Sequence, residues 1–96
     1  MKLRKIIKIL YKKYSDNNYD IKFREIARED WEDFLKNKSY FSFEYDNLYL
    51  DYLKEYYKST YSNCLELSFI IFENKKPIFI APLFFVTKKN NFYLLT

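Results

Sequence analysis

The chain has 96 residues, 22 of them aromatic, with no glycine and no histidine. That composition excludes glycine-rich phosphate loops, imidazole metal ligands and Ser–His or Cys–His nucleophile pairs, and the single cysteine, Cys64, excludes an internal disulfide or a thiolate zinc site. The formal charge is +4, but residues 1–14 carry six basic side chains and no acid, leaving 11 basic against 13 acidic over the remaining 82 residues.

The basic segment opens the chain as an amphipathic helix. Leu3, Ile6, Ile7, Leu10, Tyr11 and Tyr14 recur at helical spacing, while Lys2, Arg4, Lys5, Lys8, Lys12 and Lys13 fill the other face. Ser15-Asp16-Asn17-Asn18 ends it, so residues 1–16 form a basic helical unit. Residues 21–26 alternate as a short strand, with Ile21 and Phe23 on one side and Lys22 and Arg24 on the other. A second helix is predicted from about Arg28 to Asn37. Glu29, Asp30, Glu32 and Asp33 crowd its positive end, Lys36 and Lys38 close it, and Trp31, Phe34 and Leu35 make its apolar stripe. After a break at Ser39–Ser42, a third helix is predicted from about Glu44 to Lys58 with Ser42 as N-cap. Its apolar stripe is Tyr45, Leu48, Tyr49, Tyr52, Leu53 and Tyr56.

From Leu65 the period changes to two. Residues 65–72 and 77–87 read as two strands around a polar hairpin loop at 73–76, with Pro82 marking a bulge or an edge position. A turn at 88–91 leads to a further strand from Phe92 to Leu95. Ile70, Phe72, Phe79 and Phe85 stand where a half-exposed strand would carry polar residues, so both faces of this sheet expect cover. The order is α-β-α-α-β-β-β, an α+β domain: N-terminal helix, strand, two helices and an antiparallel β-meander.

Most residues read simply as structure. Four carboxylates at a helix start are a solvated, dipole-favoured cluster, since a catalytic carboxylate needs a cleft that shifts its pKa. Cys64 reads as a structural, partly buried thiol with no base to activate it. Tyr45, Tyr49, Tyr52 and Tyr56 read as core-facing, with an aromatic wall for a sugar or acyl group as the sharper alternative. Abundant Lys, Asn, Ile, Phe and Tyr beside scarce Ala follow A/T-rich codons. No face interleaves aromatic and basic residues, so nucleic acid is not an expected partner. No apolar run reaches the length of a membrane span and the N-terminus lacks a signal-peptide core, which makes the cytoplasm the expected location. The basic residues 2–13 could also attach the chain to the anionic inner face of a membrane.

A longer pattern covers residues 21–96. Trp31 opens the first helix of this region within EDWEDF. Tyr40-Phe41-Ser42-Phe43 breaks the chain before an aromatic-rich helix, and FIIFENKKPIFIAPLFF forms a hydrophobic hairpin ending in Pro82-Leu83-Phe84. In these features the chain resembles the N-terminal part of GNAT-fold acyltransferases of the FemAB-like group. The resemblance implies acyl transfer from acyl-CoA or aminoacyl-tRNA to an amine or hydroxyl of a sugar, peptide or lipid. It also implies that Phe41 and Tyr45 lie near the acceptor cleft. In that family the carrier's pyrophosphate is bound after the fourth strand by a Gly-rich turn and a helix N-terminus. Neither occurs here, so the expectation is a half-domain, inactive alone, with no catalytic, metal or cofactor residue of its own. A missing C-terminal half, a partner subunit or a second copy would complete its sheet. The competing expectation is a small non-enzymatic module that binds a partner protein or an anionic membrane surface through its basic helix.

Overall fold

The computed structural model describes residues 4–9, 19–37 and 43–95. Residues 4–9 are helical (α1). Then come β1 (Tyr19–Phe23), α2 (Arg28–Lys36), a 3-10 turn (Phe43–Tyr45), α3 (Asn47–Thr60), β2 (Asn63–Glu66), β3 (Phe69–Glu73), β4 (Lys76–Ala81), β5 (Phe84–Lys88) and β6 (Asn91–Leu95). The class is α+β. All strand pairing is antiparallel, in two three-stranded sheets ordered β1-β3-β4 and β2-β5-β6. Among the described residues no helix is long and apolar enough to cross a membrane.

The two sheets share one bent hairpin. The strand predicted over 65–72 is broken at Leu67–Ser68, and the one predicted over 77–87 is broken at Pro82–Leu83. Each half pairs across to the matching half, β2 with β5 and β3 with β4. The breaks are cross-braced. The Leu67 N–H donates to the Leu83 carbonyl at 2.8 Å and the Leu83 N–H donates to Ser68 Oγ at 3.0 Å. Pro82 has no N–H for a ladder, so the bend falls where pairing is already lost. β1 then adds to the open side of β3 and β6 to the open side of β5. β1 also ends earlier than predicted, at Phe23, because residues 24–26 turn toward α2.

Opposed residues in an antiparallel pair share a face. Ile70, Phe72, Ile80, Phe84 and Val86 face the helices and form the core with Ala27, Trp31, Phe34 and Leu50. The α2 stripe packs as predicted, with Trp31 and Phe34 buried and Leu35 against them. The opposite face is also apolar, as expected. Ile21 and Phe23 are buried there, but Phe79 is 49% exposed and Phe92 69% exposed. β6 lies at the edge of its sheet with Phe92, Tyr93 and Leu94 open to solvent, a strand edge able to pair further.

Three expectations need correction. First, α3 is rotated by about one residue, roughly 100°, from the predicted phase. Its buried side is Leu50, Leu53 and Tyr57; Leu48, Tyr52 and Tyr56 point out, and Tyr45 and Tyr49 are half-buried. Tyr52 and Tyr56 are therefore not core residues. The helix starts after an N-cap at Asp46 rather than at Ser42, which lies outside the described residues. Second, Arg24 is 1% exposed rather than on a solvent face. Third, α1 departs in part from its predicted sides: Arg4 turns inward, Lys8 is half-buried and Ile6 is exposed, while Ile7 is half-buried and Lys5 exposed as predicted.

The lack of glycine leaves a mark on the β3–β4 turn. Asn74 and Lys75 both have positive φ, 50° and 70°, the sign pattern of a type I′ hairpin turn. Asn tolerates this region, whereas a lysine Cβ is crowded in it. Lys75→Gly is expected to stabilise the fold by about 1 kcal/mol, less the extra entropy that glycine loses on folding. The check is a thermal melt, where an increase of a few degrees is expected for a domain of this size.

Candidate functional site: an aromatic groove at the hairpin bend

A groove of about 360 Å³ lies between the 3-10 turn, α3 and the broken hairpin. It is lined by Glu44, Tyr45, Tyr49, Leu50, Leu53, Tyr57, Pro82 and Phe84. Its size is that of a small-molecule site, roughly 300–1,000 Å³. Two features of the fold described above build it. The bend brings Pro82 and Phe84 to the groove, and the rotated phase of α3 brings Tyr49, Leu53 and Tyr57 to it.

The ring geometry is set by edge contacts. Tyr57 meets Phe84 at 5.1 Å with planes at 74°, so the two rings form a corner, and Tyr49 meets Phe43 at 5.1 Å and 83°. Such edge-to-face pairs are favoured by the ring quadrupoles. Burial pushes the Tyr57 phenol up from its ordinary pKa, with neighbouring Tyr49 and Tyr61 adding to the effect. Tyr45 is held from below, because its carbonyl accepts the Trp31 indole N–H at 2.7 Å.

Beside the groove runs a charge network that sequence reasoning missed. Arg24 grips Glu66 with two hydrogen bonds, at 2.5 Å and 2.9 Å, and both side chains are at most 2% exposed. The same guanidinium donates to Asn47 Oδ1 at 2.8 Å and to Asp51 Oδ1 at 2.9 Å. Arg28 closes on both oxygens of Asp51 at 2.8 Å. Arg4 donates to the Glu66 carbonyl at 2.9 Å, stands over the Phe23 ring at 5.4 Å and pairs with Glu25. Three arginines thus match three carboxylates and tie α1, the turn after β1, the start of α3 and the end of β2 together. Two signals could have located it. Arg24 follows the apolar Phe23 directly where the first strand gives way to a turn, and Glu66 is the lone charged residue of the segment 64–72.

Arg28 holds the Asp51 carboxyl down at about 2, opposed by burial and helped by Arg24. Glu25 is lowered by Arg4 in the same sense. A carboxyl whose folded pKa lies below its unfolded value contributes stability above the unfolded value and loses it as pH falls through the folded one. Asp51 therefore adds an acid-sensitive component between about pH 4 and pH 2, trimmed by its 42% exposure. Melts at pH 5, 3 and 2 check this: the wild-type decline across that window should be shallower in Asp51→Asn.

Of the predicted site residues, Tyr45 lines the groove and Phe41 lies outside the described residues. Among the basic residues proposed for an anionic surface, Arg4 points inward, Lys8 is half-buried and Lys5 is exposed; Lys2, Lys12 and Lys13 lie outside the described residues. Glu29, Glu32 and Asp33 are exposed along α2 with Asp30 partly so. Cys64 is half-buried at the start of β2, and burial pushes its thiol up, away from a reactive thiolate. Comparison with protein-family models, with curated proteins and with solved structures found no match to this chain.

Proposed function

We propose that this chain is the N-terminal portion of a GNAT/FemAB-like acyltransferase, inactive alone, which supplies the acceptor cleft of a domain completed by other residues. The observation that carries the reading is the strand order. With each arm of the bent hairpin, β2 with β3 and β4 with β5, counted as one strand, the first strand, the two arms and β6 pair in chain order, and two helices separate the first strand from the second. β6 is then the fourth strand, the one after which the family places its carrier-binding turn, and its outer edge is open.

In this reading the aromatic groove receives the acceptor, a sugar, peptide or lipid bearing an amine or hydroxyl. Acyl-CoA or aminoacyl-tRNA would bind beyond β6. Both carriers are cytoplasmic, so the same reading places the chain in the cytoplasm. Attachment to a membrane through the basic helix has less support, because Arg4 is committed to Glu25 and Glu66 and only Lys5 of the described basic residues is fully open.

The test joins sequence context to binding. The DNA directly downstream, in the same or a shifted frame, should encode a Gly-containing turn and a helix. Co-expressed with that segment, the chain should gain thermal stability from millimolar acetyl-CoA, as mass action requires of a ligand that binds only the folded state. Alone it should gain none. A chain stabilised by acetyl-CoA on its own, or a downstream region without such a segment, would overturn the reading.

A further inference from the structure

The lining of the groove is chemically one-sided. Three half-buried tyrosine rings supply aromatic carbon, Leu53 and Pro82 supply apolar wall, Leu50 and Phe84 lie almost fully buried in the lining, and no basic side chain is present. Glu44, on the 3-10 turn, is the lone carboxylate, and among the described residues it forms no salt bridge. The phenol of Tyr57 stays neutral because burial opposes its ionisation. An anion would meet Glu44 and the negative faces of the rings. A neutral ligand would use the apolar walls but leave the carboxylate without a counter-charge. A cation uses both, because aromatic faces attract positive charge and are the established means of holding organic ammonium groups.

The apolar walls narrow the class. Methyl groups on the nitrogen remove the donors, spread the charge and fit apolar surface. We propose that the groove is a recognition site for the methylated ammonium group of a small organic molecule, with the half-buried rings of Tyr45, Tyr49 and Tyr57 receiving the methyl groups and Glu44 as the counter-charge. Binding rests on the groove alone. Only the use made of the ligand rests on the acyltransferase reading, in which the ammonium is the handle of an acceptor whose reacting amine or hydroxyl lies elsewhere on the molecule.

The experiment uses the purified chain and a matched pair of probes, choline and its neutral isostere 3,3-dimethylbutan-1-ol, titrated by NMR at low salt. Choline is expected to bind saturably and at least about fivefold more tightly than the isostere, with the largest resonance shifts at Tyr45, Tyr49 and Tyr57. Glu44→Gln is expected to weaken choline about threefold or more while leaving the melting temperature and isostere binding unchanged. Added salt should reproduce part of that loss in the wild type. Equal binding of the two probes, absence of saturation by choline, or a Glu44→Gln variant that binds choline as well as the wild type would overturn the proposal. A downstream region without the Gly-containing turn and helix would overturn only the acyltransferase reading.

Discussion

Glu66→Ala is expected to cost about 3–5 kcal/mol, the cost of leaving a buried charge without its partner. Arg24 would keep Asp51 and Asn47, but it would lose the bidentate grip of a carboxylate that is itself 2% exposed. A domain of this length has on the order of 5–14 kcal/mol in total. The variant should therefore melt at least about 12 °C lower, with an earlier urea midpoint. The contrasting variant is Arg24→Met with Glu66→Leu. It removes both charges, fills similar volume and should recover most of the loss, because desolvating a buried pair offsets much of its attraction. A Glu66→Ala variant within about 1 kcal/mol of wild type would mean that solvent reaches Arg24 and that the pair is not sealed.

The pair also shows what the sequence could and could not convey. Elements governed by local periodicity were legible: α2 with Trp31 and Phe34 inward, the turn at 73–76, the turn at 88–91 and the apolar character of both sheet faces. The bend in the hairpin was half legible. Pro82 announced one break, but the partner break at Leu67–Ser68 carries no breaker residue and exists because pairing across the hairpin demands it. The phase of α3 was illegible for a different reason. Aromatic residues occupy two adjacent stripes of that helix, so hydrophobic spacing allows two rotations. The choice is made by polar contacts, since Asn47 and Asp51 must face Arg24, and that rotation takes Leu50 into the core and swings Tyr52 and Tyr56 out. Tyr45 and Tyr49, which line the groove, were singled out in the sequence, whereas Tyr57, Phe84 and Glu44 were not. They come from three separate segments, and only the rotated helix and the bent hairpin bring them together.

Trp31→Ala should be the largest single apolar loss, about 3–5 kcal/mol, because the indole is fully buried at the centre of the core and its removal leaves a cavity that the two sheets cannot close. The more informative variant is Trp31→Phe. It keeps most of the apolar contact but removes the N–H that reaches the Tyr45 carbonyl at 2.7 Å, so Tyr45 loses its indole donor. The stability cost should be smaller, about 1–3 kcal/mol, and should come with a loosening of the groove wall. If the groove works as argued, choline affinity should fall in Trp31→Phe even at temperatures where the variant is fully folded. A matched core truncation away from the groove, such as Ile70→Val, should lower stability by about 0.5–1.5 kcal/mol and leave choline binding intact. Equal loss of binding in both variants would trace the effect to general softening of the core. Loss in Trp31→Phe alone would make the indole–carbonyl bond the link between the packed interior and the surface that meets the ligand.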